Sequence, residues 1–317
     1  MLKELFSKNP RIVINSDIDG ILSGILLEEY YGCEIVGFSN SRETVWVTPA
    51  VSSINDPIFI DLFENNPDVI CIEQHIIAFN KAHHEKIKSW GTKINPNLMR
   101  ERTLCGDMES DYYHKYPFGT VHFLISLMEQ EGVRVDLGDL FENKTFNIQG
   151  KQLTSCFGQV LLRADDALYS TLSPYRANAL NWWEWLDPQK SYQSMQQIIK
   201  YINSCSINKS KEYKQQIGLF FKGFGCDGWD GAFSTVTDKA GKLLPKVKLF
   251  YEEMGRFIPG RHKPLPENYV IHKGSYNLDT LSRFSDASIL ESESLYSYAF
   301  IYGPSKSGNL SYTTNMD

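Results

Sequence analysis

No stretch of this sequence reaches the roughly 18 consecutive apolar residues that a membrane-crossing helix needs, so no membrane span is expected. The opening segment, Met1 to Pro10, is charged and has no apolar core, which argues against a secretory signal. The six cysteines are scattered, without a CxxC pair. That pattern argues against a disulfide framework and suits a reduced, cytoplasmic interior. Basic residues are not in excess: 32 Lys and Arg stand against 38 Asp and Glu, a formal charge of −6. Grip on long nucleic acid comes from cations that displace counterions, so duplex nucleic acid is an unlikely partner. HExxH, P-loop and GxSxG motifs are missing too, which removes support for zinc proteases, P-loop NTPases and α/β-hydrolases. No internal repeat is visible.

What is there is globular. A chain of 317 residues with 42% hydrophobic and 22% charged content can bury two cores of ordinary size. Its most informative run is Asn15-Ser16-Asp17-Ile18-Asp19-Gly20, with Ser23-Gly24 behind it. The run follows the apolar Ile12-Val13-Ile14 and precedes a helical pattern from Ile21 to Tyr31. Two carboxylates at i and i+2 on a strand end point the same way, and Gly20 is read as the pivot of a sharp turn. Such a pair can share a hard divalent cation with a phosphate. Two more apolar runs end in polar residues: Ile58-Phe59-Ile60 before Asp61, and Val69 to Ile72 before Glu73-Gln74-His75. A later one, Val160-Leu161-Leu162, leads to Asp165-Asp166. Ligands of open α/β sheets bind outside the carboxyl ends of the strands, where such residues converge.

On these residues the chain resembles the DHH phosphoesterase superfamily, which includes RecJ-type exonucleases, small-oligonucleotide phosphatases and cyclic-dinucleotide phosphodiesterases. Asn15, Asp17, Asp19, Gly20, Ser23 and Gly24 fall on its first motif, and Asp61 on the second. Glu73-Gln74-His75 falls on the Asp-His-His motif, and Asp165 or Asp166 on the fourth. The resemblance covers about residues 10 to 170. It implies Mn²⁺ or Mg²⁺ held by Asp17, Asp19, Asp61 and Asp165 or Asp166, with His75 and Asp19 in the chemistry. Two positions depart from the pattern. Asn15 stands where the family has His or Asp, and Gln74 replaces a metal-binding His. A carboxamide oxygen can coordinate a hard cation but brings no charge.

Alternation of strands and helices up to about residue 95 predicts a parallel sheet flanked by helices. Phe118 to Gln130 and Thr154 to Tyr169 read as helices, and Asn80 to Trp90 as a helix flanking the sheet, whose His83 and His84 are read as surface or metal-free histidines. Trp182, Trp183 and Trp185 form an apolar knot, read as packing or as a base-stacking platform. The expected organisation is an α/β domain over 1–190, a linker helix over 191–211 and a smaller α+β cap over 212–317. Gly218 to Phe224, Val270-Ile271 and Tyr296 to Tyr302 are the cap's strand candidates. Its glycine-rich segment, Gly223 to Gly231, offers turns or a phosphate cradle. Arg256, Arg261 and His262 are candidate substrate contacts, because Arg suits phosphate. The family's Gly-Gly-Gly-His motif is absent.

The function expected from sequence is metal-dependent hydrolysis of a phosphoester in a nucleotide or short oligonucleotide. The alternative is a degenerate relative that binds or sequesters a nucleotide or serves as a structural subunit.

Overall fold

The computed structural model describes residues 1–104, 114–165, 167, 176–260, 262–281, 288–302 and 308–317. Its centre is a seven-stranded sheet in the order β6-β5-β4-β1-β2-β3-β9. The strands are β1 (Arg11–Asn15), β2 (Glu34–Ser39), β3 (Thr44–Val47), β4 (Ile58–Ile60), β5 (Cys71–Ile72), β6 (Lys93–Ile94) and β9 (Val270–Lys273). The five strands from β6 to β2 run parallel, while β3 is antiparallel to both its neighbours. Buried residues fill β4 and all of β1 but its first position, as expected for strands covered on both faces.

Helices cover the sheet. They are α1 (Leu2–Lys8), α2 (Ile18–Tyr31), α3 (Lys81–Ser89), α4 (Pro96–Met99) and α5 (Thr120–Gln130), then α6 (Phe157–Leu161) and α7 (Arg176–Leu186). Three more follow, α8 (Gln193–Ser204), α9 (Ser210–Gly223) and α10 (Pro245–Gly255). Every residue of α2 from Ile18 to Glu28 is buried, so this helix is apolar nearly all round and packs on several sides at once.

The chain leaves β1 through α2 toward β2 on one side and returns to β4 on the other. That reversal opens a crevice at the carboxyl ends of β1 and β4, the usual ligand position in such sheets. Asn15, Asp17, Asp19 and Asp61 all sit at this edge.

Several expectations change. Residues 151–156 form a strand, β8 (Lys151–Cys156), paired with β7 (Asn143–Ile148) around Gln149-Gly150, both at positive φ. Thr154 to Cys156 is therefore not helical. Gly218 to Phe224 is not a strand, since Gly218 to Gly223 forms the last turns of α9 and Phe224 caps it. Ile217, Phe220, Phe221 and Phe224 recur at helical spacing and are buried. Val270-Ile271 is a strand, but it joins the edge of the large sheet against β3. After Gly274 the chain continues into an antiparallel sheet, β10 (Ser275–Leu281), β12 (Gly308–Thr314) and β11 (Leu295–Tyr302), with β12 central. Main-chain and side-chain bonds pin it to the ends of β4 and β5: Asn65 N–H donates to Tyr296 O at 2.6 Å and Tyr298 Oη to Ile77 O at 2.7 Å. His83 and His84 are buried rather than on the surface, and His84 Nε2 bonds Leu98 O at 3.0 Å.

Candidate functional site

Strand β1 ends at Asn15, so Asp17 and Asp19 are not alternate residues of a strand and do not point the same way. Asp17 is the N-cap of α2, and its Oδ1 accepts from Gly20 N–H at 3.0 Å. Asp19 lies in the first turn and faces α5 instead. Its two oxygens accept the first two N–H groups of α5, from Thr120 at 2.7 Å and Val121 at 2.8 Å. A carboxylate at a helix N-terminus satisfies donors that have no partner inside the helix and complements the dipole. Gly119 makes the approach possible, because a Cβ there would lie 2.6 Å from Asp19 Oδ2.

Asp61 follows β4 directly, in a left-handed conformation (φ 60°) that Asp tolerates better than most residues. Its Oδ1 accepts from the Thr120 hydroxyl at 2.8 Å, and its Oδ2 from Asn15 Nδ2 at 3.0 Å. The same Asn15 nitrogen donates to Asp17 Oδ2 at 2.8 Å. One carboxamide thus joins the two acids that the resemblance would join through a cation.

Gly20 has a different role from the expected pivot. Its φ is not positive, and it is already helical. What it allows is contact: a Cβ would come within 2.6 Å of Asn15 N and closer still to Asn15 O.

Burial is the first cause of the acids' raised pKa values. Asp17 is pushed up to about 8, with the Asp230 and Asp19 charges adding to burial. Asp61 is held well above the carboxylate range by burial and by its neighbours Asp19 and Asp17. Burial raises Asp19 to about 6, with the Val121 and Thr120 N–H groups opposing the rise. Burial and mutual repulsion thus make all three acids easier to protonate than exposed carboxylates.

On the far side of β4, Glu73 and His75 follow β5. Glu73 is fully buried, and its Oε2 accepts from His75 N–H at 2.6 Å and lies 3.3 Å from His75 Nδ1. Asn95 donates to Glu73 Oε1 and, at 2.7 Å, to His75 O. His75 remains 37% exposed, with its ring at the cleft. Burial lowers its pKa, but the bond to Glu73 and the charges of Asp165 and Glu73 outweigh that and raise it. Gln74 is fully buried, and neither atom of its carboxamide has a partner.

A cavity of about 80 Å³ lies between this edge and the small sheet, lined by Asp61, Glu64 and His75 on one side and by Tyr296, Ser297 and Ser311 on the other. No protein-family model, curated protein or solved structure matches the chain. The functional reading therefore rests on this geometry and on the motif residues.

The resemblance implies Mn²⁺ or Mg²⁺ at these acids. Each of the six carboxylate oxygens of Asp17, Asp19 and Asp61 already accepts a protein N–H or O–H. Among the described residues, no group of three His, Cys, Asp or Glu side chains is placed to hold a metal ion. As arranged, these residues do not fit the metal pair. Asp165 follows α6 at φ 48° and lies 3.7 Å from Lys115 Nζ, while Asp166 falls outside the described residues.

The other candidates lie elsewhere. His262 Nε2 bonds the carbonyls of Gly255 and Ile258 at 2.9 and 3.1 Å, and its Nδ1 is 3.8 Å from Glu28. Glu28 is nine residues along α2 from Asp19, roughly 13 Å at 1.5 Å per residue. Arg256 pairs with Glu253 at 2.5 Å and stacks over Phe146, beside β7. Neither residue joins the acid cluster, and Arg261 falls outside the described residues. The glycine-rich segment and the residues just after it brace the motif. Ser16 Oγ donates to Phe233 O at 2.7 Å, and Asp230 O accepts from Ile18 N–H at 3.2 Å. Trp182 and Trp183 are buried, and the Arg100 guanidinium covers the Trp182 ring at 4.4 Å, so the knot is packing and leaves no free stacking face on Trp182.

Sequence reasoning missed Thr120, Gly119 and Glu64. The first two carry a weak signal, a small residue and a hydroxyl just before an amphipathic helix.

Proposed function

We propose that this chain is a DHH-like protein that binds the phosphoester of a nucleotide or short oligonucleotide, and does so without a resident metal pair. The observation that carries the reading is the Asn15 amide, which donates to Asp17 and Asp61 together. A neutral donor there replaces the charge a cation would bring. Burial and the neighbouring acids raise the pKa values of Asp17 and Asp61, and for Asp61 the Asn15 hydrogen bond only partly offsets that rise. Acids that protonate easily repel a phosphate less than three ordinary carboxylates would, and His75, whose pKa Glu73 and Asp165 raise against the opposing effect of burial, presents its ring at the same edge.

A second reading, hydrolysis, is favoured by the Glu73–His75 pair. A buried carboxylate on Nδ1 fixes the tautomer and leaves Nε2 free for proton transfer, the arrangement of a general acid–base.

One experiment separates the two readings. Calorimetry in EDTA with nucleoside 5′-monophosphates and a dinucleotide should give affinities on the order of micromolar. His75→Ala should weaken them about 10-fold or more, the loss expected for one hydrogen bond to a charged group. Binding or turnover seen solely after Mn²⁺ is added would reject the binding reading in favour of metal-dependent hydrolysis.

A further inference from the structure

The cavity beside Asp61 and His75 has an unusual lining for a pocket next to a phosphate site. Among the described residues its wall contains two acids, Asp61 and Glu64, and one histidine, but no Lys or Arg. Most of the rest is hydroxyl-bearing. Some of those hydroxyls are taken: Tyr296 donates to Glu64 Oε1, Tyr298 to Ile77 O, and Thr313 to Arg42 O. Ser39 Oγ accepts from Ser41 N–H, which leaves its own hydrogen free to donate, and Ser297 and Ser311 present hydroxyls from the small sheet. Glu64 is 1% exposed, and its Oε2 has no partner.

Such a wall is wrong for a phosphate and right for a neutral ligand part rich in O–H groups. A water needs about 10–15 Å³ of such volume, so 80 Å³ holds about six, comparable to a pentose ring. The sugar is also the group bonded to the phosphate, and the cavity begins at His75, where the phosphate is placed. Carboxylates and hydroxyls commonly accept and donate to ribose hydroxyls, and the 2′-hydroxyl is what separates RNA from DNA.

We propose that this cavity is a ribose subsite, with Glu64, Ser297 and Ser311 reading the sugar hydroxyls, so that the ligand is a ribonucleotide or short RNA rather than its deoxy counterpart. The inference rests on the nucleotide-binding reading above and narrows its substrate class. A site built to bond a hydroxyl rejects the analogue that lacks it, because its own buried polar groups are then left unpaired.

The test is calorimetry of the full chain with AMP, GMP, CMP and UMP against their 2′-deoxy forms. Each ribonucleotide should bind at least about 10-fold tighter than its partner, the weight of one good hydrogen bond. Ser311→Ala and Glu64→Gln should each cut that preference to within about 3-fold by weakening the ribonucleotides more than the deoxy forms. Glu64→Gln retains an acceptor for Tyr296, so it keeps the contact between the sheets. Equal affinity for ribo and deoxy forms would overturn the subsite while leaving nucleotide binding standing. Variants that weaken both forms alike would overturn it too, marking these residues as structural. Failure of every nucleotide to bind would overturn both readings.

Discussion

Asp19→Ala should destabilise the protein by about 3–5 kcal/mol, read as a lower urea midpoint at unchanged slope. The change strips acceptors from two buried N–H groups at the start of α5, and each such orphan costs about 1–3 kcal/mol. Loss of a favourable charge at a helix N-terminus adds to this. Asp19→Asn should cost about half as much, since it keeps one acceptor but turns an amide donor toward the second N–H. The sign is what matters. In a metal-free cluster of ligand carboxylates, removing one acid relieves like-charge repulsion and stabilises the fold. A stabilised Asp19→Ala protein would mean that the carboxylate is held for a cation and not for α5.

Gly20→Ala should cost about 3 kcal/mol or more, a large share of the roughly 5–15 kcal/mol that holds an ordinary domain folded. The new Cβ meets main-chain atoms of Asn15, which cannot rotate aside as a side chain could. Relief requires α2 to lift from β1, and that movement drags the Asn15 amide away from Asp17 and Asp61. A tolerated Gly20→Ala, with a midpoint within 0.5 kcal/mol of wild type by the usual surface-substitution scale, would show that the close approach is not needed.

Much of the sheet was legible in the sequence because apolar runs with polar ends mark buried parallel strands, and β1, β4 and β5 each carry one. Their order was not, since the reversal at β1 depends on which strands pair over distance. The partner of Asp19 was illegible for the same reason: Thr120 lies 101 positions away. Gly20 was visible as a motif residue, yet sequence alone could not separate a turn from a close approach. The β7–β8 hairpin was hidden because its strands are polar on one side and its turn is Gln-Gly, a weaker signal than Asn-Gly. In α9, the short apolar run from Gly218 to Phe224 suggested a strand. The glycines belong to packing: Gly218 lies under the Trp229 ring and Gly223 against Leu153. The Lys-rich sequence around His83 and His84 concealed two buried histidines, since the exposed lysines share their helix with one inward face.

On the binding reading, the Asn15 amide takes the place of a cation between Asp17 and Asp61. Mn²⁺ titration of the wild-type protein, followed by calorimetry and by the Mn²⁺ electron paramagnetic resonance signal, tests it most directly. No site tighter than about 1 mM is expected in wild type, and Asn15→Asp should create one in the micromolar range by adding a charged ligand. Stoichiometric micromolar Mn²⁺ binding by the wild type, lost in Asp61→Asn, would contradict the claim and restore the metal to the site.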